Sequence, residues 1–324
     1  MANRIFVTRK IPNEGLDLIT EKFSVDVWDD DFPPTREEIT ARASKCSGII
    51  TLLSDPIDSK LLDSLPELKV IAQYAVGYDN IDVEDATRRG IIVTNTPGVL
   101  TETTADLTWT LIMCAARRLA EADRFVREKR WEIAWGPQFL LGTDIYGSTL
   151  GIVGMGRIGQ AVARRASGFN MRILYSSRTR NEGLEKELGA TYVDLHTLLR
   201  ESDIVTLHVP LTTETMHLIG KDELELMKED SVLVNTSRGM VVDEDALFKA
   251  LKDGKIGCAG LDVFREEPIP KESPLLGLDN VVLAPHIGSA SKKTRATMSQ
   301  MCAENLIAAL EGETPPNIVN PEVL

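Results

Sequence analysis

Thr149-Leu-Gly-Ile-Val-Gly154-Met-Gly156-Arg-Ile-Gly159-Gln-Ala-Val-Ala-Arg164 sets a short charge-free run directly ahead of a glycine-rich turn and a helix start. The glycines follow the spacing G-x-G-x-x-G. Gly154 permits a tight turn, Gly156 lets the backbone approach a phosphate, and Gly159 allows the helix to pack closely on the strand. The free N–H groups and positive dipole end of the helix suit a pyrophosphate. On its own the pattern is weak evidence. A strand before it and a helix after it are the context that dinucleotide binding requires, and both are present here.

Outward from this turn, strand-like runs alternate with helical segments. They are Arg4-Val7, Gly48-Leu52, Lys69-Ala72, Ile91-Thr94, Thr149-Val153, Met171-Tyr175, Ile204-His208, Ser231-Asn235, Gly257-Leu261 and Asn280-Ala284. Several are continuously apolar, as strands covered on both faces should be, so the fold class is α/β with doubly wound parallel sheets. A helical stretch from about Thr103 to Lys129 separates the runs before residue 100 from those after 148, which predicts two domains. Ser291-Gly312 reads as one amphipathic helix beyond the last strand, able to cross back to the first domain through hinges near Gly98 and Gly288.

A net charge of −13 argues against general binding to nucleic acid or anionic membranes, which reward clustered Lys and Arg. No apolar run approaches the roughly 18 residues of a membrane span. The start of the chain lacks the pattern of a signal peptide, so a cytoplasmic location is expected. Cys46, Cys114, Cys258 and Cys302 are scattered, and His196, His208, His217 and His286 show no metal-ligand spacing. Chemistry without a metal is expected.

Cofactor choice is normally set by an acid about 20 residues beyond the turn that binds the adenosine ribose. From Arg157 through Asn181 there is no Asp or Glu, and the second strand ends Tyr175-Ser-Ser177-Arg178-Thr179-Arg180. Hydroxyls and a guanidinium suit a 2′-phosphate that an acid would repel, so NADP is expected in preference to NAD. The alternative is a solvated arginine pair in a loop.

Three further strand ends carry chemistry. Ser231-Val-Leu-Val-Asn235-Thr-Ser-Arg238-Gly delivers an arginine to the carboxyl edge of the sheet, where it can fork onto a substrate carboxylate. Gly260-Leu-Asp262-Val-Phe-Arg-Glu-Glu267-Pro268 ends in an acidic turn, and Ala284-Pro-His286-Ile-Gly288-Ser289 in a histidine. Ketone reduction needs a proton donor, the usual task of a histidine near neutrality, and a carboxylate on its far nitrogen would fix the tautomer and favour the charged ring. Taken singly, each could be structural: Arg238 a surface ion-pair partner, His286 a satisfied histidine, Glu267 a turn acid. Together, after a dinucleotide turn, they point to hydride transfer.

These motifs, with Ala75-Val76-Gly77-Tyr-Asp79-Asn-Ile-Asp and Thr104-Ala-Asp106, resemble the D-2-hydroxyacid dehydrogenase family over essentially the whole chain, most of all its glyoxylate/hydroxypyruvate reductases. The resemblance implies a Rossmann dinucleotide-binding domain, 100–288, inserted in a flavodoxin-like substrate domain, 1–99 plus 289–324, with the active site in the cleft between them. It implies Arg238 as substrate anchor, His286 as acid/base, Glu267 as its partner, and Val76 and Gly77 as backbone donors to the carboxylate, with Leu53 and Ser289 beside them. Around the cofactor it implies Thr104, then Gly154, Met155, Gly156, Arg157, Ile158 and Gly159 of the turn. Ser177, Arg178 and Thr179 follow at the second strand, and Val209 and Pro210 at the next. Thr236, Ser237, Arg238, Asp262, His286, Ile287 and Gly288 complete the set.

The expected substrate is a small 2-oxo acid, glyoxylate or hydroxypyruvate, and the expected assembly a homodimer built through about Leu100 to Tyr146, where Trp131, Trp135 and Phe139 carry surplus apolar bulk. Phe139 stands where related reductases often carry tryptophan, which leaves substrate preference more open than reaction type. Phosphite and 2-ketogluconate enzymes share the Arg/Glu/His pattern and are the alternative substrates. A nucleotide-sensing corepressor-like binding protein is the alternative of another class.

Overall fold

A computed structural model describes residues 3–324. The chain forms two compact units, Met1–Leu100 with Ser289–Leu324, and Thr101–Gly288.

In the first unit, strands β1 (Arg4–Val7), β2 (Ser24–Val27), β3 (Gly48–Thr51), β4 (Val70–Gln73) and β5 (Ile92–Thr94) alternate with helices α1 (Asn13–Thr20), α2 (Arg36–Ala43), α3 (Ser59–Asp63) and α4 (Val83–Arg88). All strand pairs are parallel, in the order β2-β1-β3-β4-β5. Every residue of β3 and β4 is buried, because helices cover both faces of the sheet. One core holds Phe6, Ile49 and Ile71 under α2 and α3. The opposite core holds Ile5, Ile50 and Val70 against the terminal helix.

The second unit opens with helices α5 (Thr101–Ala116) and α6 (Leu119–Arg127). Strands β6 (Thr149–Val153), β7 (Arg172–Ser176), β8 (Thr191–Tyr192), β9 (Ile204–Leu207), β10 (Val232–Asn235), β11 (Cys258–Leu261) and β12 (Val281–Leu283) follow. Helices α7 (Arg157–Ala166), α8 (Glu182–Leu188), α9 (Leu195–Glu201), α10 (Lys221–Leu226) and α11 (Glu244–Lys252) connect them. The parallel sheet runs β12-β11-β10-β9-β6-β7-β8. Its order reverses between β6 and β9, the switch point outside whose carboxyl edge ligands bind in such sheets. Helix α12 (Lys292–Glu311) belongs to the first unit and packs on α1.

Three details depart from the sequence reading. The stretch from 103 to 129 is two helices, broken at Arg118, whose φ is +52°. The Ala116 carbonyl accepts from the Thr143 N–H at 2.8 Å, so the returning arm ends α5 there. A Cβ on Gly142 would lie 2.2 Å from that carbonyl oxygen, which is why the arm passes it as glycine. Strand β2, read as Ser-Val-Asp-Val, was not expected because no residue of it is fully buried. Strand β8 is a two-residue exposed edge with no pattern to detect.

Candidate active site

At the end of β6, Gly154 has φ +96°, and a Cβ there would lie 2.8 Å from the His208 carbonyl carbon and 2.9 Å from Val209 Cγ1. The end of β9 and the Val209-Pro210 segment therefore close directly on the turn. A Cβ on Gly159 would lie 2.2 Å from the Gly154 oxygen. At Gly156 a Cβ would meet nothing within 4 Å, and no side chain caps α7. The first N–H groups of that helix thus look onto open space over a bare backbone, which fits a pyrophosphate. Met155 is buried beneath the turn, Ile158 half-buried, and Arg157 exposed.

Beyond β7, Ser177 is half-buried and Arg178 and Thr179 are exposed. Arg180 is already committed, since its Nε and Nη2 each donate to Glu185 at 2.8 Å, and the Tyr175 hydroxyl donates to the same carboxylate at 2.9 Å. Arg178 makes no hydrogen bond or close ion pair among the described residues. Its charge reaches Glu214, whose carboxyl is held below its ordinary range first by the Thr212 hydroxyl and in smaller part by Arg178. Of the two arginines, Arg178 is the one available to an anion.

The turn after β10 is organised by buried Asn235, which sequence reasoning missed as a site residue. Its Oδ1 accepts from the Ser237 N–H at 3.0 Å and the Ser237 hydroxyl at 2.8 Å, while its Nδ2 donates to the Arg238 carbonyl at 2.9 Å. This local side-chain turn presents Arg238 at the sheet edge, with Nη1 donating to the Ser237 carbonyl at 2.8 Å. Thr236 pairs with the hydroxyl of Thr108, another unanticipated residue, at 2.9 Å, and Thr108 donates to the Thr104 carbonyl at 2.8 Å. Thr104 Oγ1 donates to the Gly288 carbonyl at 3.1 Å. One turn of α5 thus ties the β10 and β12 loops together.

His286 Nδ1 and Glu267 Oε2 lie 2.6 Å apart, and Glu267 Oε1 accepts from the Phe264 N–H at 3.0 Å. Burial pushes the Glu267 carboxyl up, but the His286 hydrogen bond and charge, helped by the charge of Arg238, outweigh it and leave the group below its ordinary value. With Nδ1 so engaged, Nε2 is the ring nitrogen left for proton transfer. His286 sits at φ +52°, a conformation held by Asp262. The Asp262 carbonyl accepts from the His286 N–H at 2.9 Å, and its carboxylate accepts from the Ile287 and Gly288 N–H groups at 2.7 and 2.8 Å. Both Asp262 oxygens therefore serve the loop itself. Burial raises the Asp262 carboxyl to about 6, against the pull of those N–H groups and of His286.

In the first unit, Leu53 and Val76 are half-buried in the loops after β3 and β4, and Ser289 begins the return to α12. The Val76 carbonyl accepts from Asn95 Nδ2 at 2.7 Å and the Gly77 carbonyl from Gln73 Nε2 at 3.2 Å. Neither amide was anticipated, since an asparagine or glutamine at a strand end carries no motif. Among the described residues no group of three or more His, Cys, Asp or Glu could hold a metal, and no helix is long and apolar enough to cross a membrane. A cavity of about 540 Å³ lined by Arg118, Leu141, Asp230 and Asn280 opens on the second unit. Asp230 and Asn280 precede β10 and β12, so it lies at the amino edge of the sheet, the wrong edge for this chemistry.

Residues 109–288 match the family described as D-isomer specific 2-hydroxyacid dehydrogenase, NAD binding domain. A glyoxylate reductase of Korarchaeum cryptofilum is 61% identical over 324 residues, covering 100% of this chain and 98% of that protein. A Thermus thermophilus crystal structure superposes with a TM-score of 0.92 at 47% identity, over 98% of this chain and 99% of that one. An NADPH-dependent glyoxylate/hydroxypyruvate reductase of Sinorhizobium meliloti, solved with NADP and malonate, gives 0.87 at 37% identity, over 100% and 98%.

Proposed function

Because the chain belongs to the D-isomer specific 2-hydroxyacid dehydrogenase family, we propose that it reduces glyoxylate or hydroxypyruvate to the D-2-hydroxy acid, with NADPH as the preferred reductant. The observation that carries this reading is the 2.6 Å pair of His286 and Glu267 at the carboxyl edge of a sheet whose switch point bears the glycine turn.

When bound, the nicotinamide supplies the hydride. Arg238, with the Val76 and Gly77 N–H groups, binds the substrate carboxylate, and Leu53 and Ser289 bound the substrate. His286 Nε2 gives its proton to the carbonyl oxygen, and Glu267 holds the ring in place through Nδ1. The Gly154–Gly159 turn takes the pyrophosphate on the α7 N–H groups, while Ser177, Arg178 and Thr179 take the 2′-phosphate. Val209 and Pro210 flank the adenosine. Thr104, Thr236, Ser237, Asp262, Ile287 and Gly288 shape the nicotinamide end, with Asp262 acting through the loop that it holds.

Two observations support NADP: the absence of an acid from Arg157 through Asn181, and the availability of Arg178 while Arg180 is engaged. The Sinorhizobium relative was captured with that cofactor. A screen of 2-oxo acids following NADPH oxidation tests the reading, which fails if neither glyoxylate nor hydroxypyruvate is turned over.

The working form is a homodimer. Helix α6 has no buried residue, and beside it Trp135 and Ile133 are 77% exposed and Leu141 63%. So much clustered apolar surface is uncommon on a monomer. Three of the four free cysteines are buried thiols, in keeping with a cytoplasmic setting.

A further inference from the structure

The loop after β4 carries the two N–H groups read above as carboxylate donors, and the structure shows what aims them. In a trans peptide the carbonyl and the following N–H lie in one plane and point in opposite directions, so a bond that holds one fixes the other. The Ala75 carbonyl accepts from the Thr96 N–H at 2.9 Å, which turns the Val76 N–H away from Thr96. The Val76 carbonyl accepts from Asn95 Nδ2 at 2.7 Å, which turns the Gly77 N–H away from Asn95. A single dipeptide directly after β5 therefore fixes the two peptide planes that carry the Val76 and Gly77 N–H groups. Among the described residues neither N–H has an acceptor of its own.

Asn95 is held independently of that task. Its N–H donates to the Asn317 carbonyl at 3.2 Å, and its carbonyl accepts from Asn305 Nδ2 at 3.0 Å. Asn305, fully buried on α12, in turn accepts from the Asn317 N–H and side-chain amide at 3.1 and 3.2 Å. Both backbone groups of Asn95 are thus anchored to the carboxy-terminal segment, and the side chain is left to grip Val76. That grip fixes the plane of the Val76–Gly77 peptide, and with it the direction of the Gly77 N–H.

We propose that Asn95 is a positioning residue for the substrate carboxylate, aiming the Gly77 N–H through the Val76 carbonyl and so contributing to the preference for 2-oxo acids over uncharged carbonyl compounds. The inference rests on the reading of Val76 and Gly77 as carboxylate donors. It predicts a selective defect: Asn95→Asp, which sets an acceptor against the Val76 carbonyl, disturbs binding of the carboxylate and not the hydride or proton step.

The test compares kcat/KM for glyoxylate and for glycolaldehyde, which has an aldehyde but no carboxylate, in the parent, Asn95→Asp and Asn95→Ala. NADPH affinity by fluorescence titration and thermal melting accompany the rates. The expected result is a loss of roughly tenfold or more for glyoxylate, mainly in KM, the scale of a hydrogen bond to a charged group. Glycolaldehyde turnover and NADPH affinity stay near the parent's. If Asn95→Asp does not fold, Asn95→Ala carries the same reading, because it removes the donor without adding charge. A parallel loss for both substrates shows a merely structural role and overturns the proposal, as does an unchanged ratio in folded variants. A parent that turns over glyoxylate no better than glycolaldehyde overturns instead the assignment of Val76 and Gly77 on which the proposal rests.

Discussion

His286 Nδ1 meets Glu267 Oε2 at 2.6 Å, joining loops that leave the adjacent strands β11 and β12. His286→Ala should lower kcat by about 10²–10⁴-fold, the usual worth of a positioned general acid, with NADPH affinity retained. Glu267→Gln keeps the shape but removes the carboxylate that engages Nδ1 of His286, so kcat should fall while NADPH affinity is retained. The Glu267 carboxyl titrates below its ordinary value, so its stabilisation is present above that value and is lost as pH falls through the folded one. The melting difference between parent and variant should therefore shrink on acidification. Near-full turnover in His286→Ala would show that the proton comes from elsewhere.

The Asn235 turn presents Arg238 at the sheet edge, where its proposed role is to grip the substrate carboxylate and orient the carbonyl. Arg238→Ala should raise KM for glyoxylate and lower kcat together, since the same fork serves binding and alignment. Steady-state kinetics in which only one of the two changes would contradict the double role.

Asp262 links stability to pH in the opposite sense from Glu267. Its carboxyl is raised to about 6, so the stability that it contributes is full below the ordinary carboxylate range and is lost as pH rises through about 6. Asp262→Asn should destabilise, because an amide NH₂ would face one of the Ile287 and Gly288 N–H donors. The melting gap between parent and variant should be wider near about pH 4.5 than near about pH 7.5. A pH-independent gap would refute the linkage.

Cofactor preference should turn on Arg178. Arg178→Asp is expected to reverse the order of kcat/KM from NADPH over NADH to NADH over NADPH, because an acid repels the 2′-phosphate and accepts from a free ribose hydroxyl. Arg180→Ala should matter less to that order, since Arg180 is spent on Glu185. Equal use of both cofactors by the parent would remove the basis for the assignment.

Light scattering at micromolar concentration should give about twice the chain mass of 35.7 kDa. Trp135→Glu, at a side chain 77% exposed in the isolated chain, should shift the mass toward one chain without lowering the melting temperature of each unit's core. A monomeric parent would sink the dimer.

The chain's own pattern announced the parallel sheets and the glycine turn, because strands covered on both faces must be apolar throughout and because only glycine tolerates the turn at Gly154. Arg238, Glu267 and His286 were singled out for a similar reason: each lies in the loop that follows an apolar strand of the sheet. Edge strands β2 and β8 were not, since half-exposed residues leave no signal. Nor was the break at Arg118, which depends on Thr143 and Gly142 arriving from an arm that sequence cannot place.

What tertiary structure alone decided is which polar groups touch. That Arg180 is consumed by Glu185 while Arg178 is not, and that Asp262 braces the histidine loop, are facts of distances. A hydrogen bond requires its atoms within about 3 Å and in line. Periodicity assigns residues to faces and edges, but only the packed chain brings Asn95 to the Val76 carbonyl, across 19 residues of sequence and one strand of the sheet.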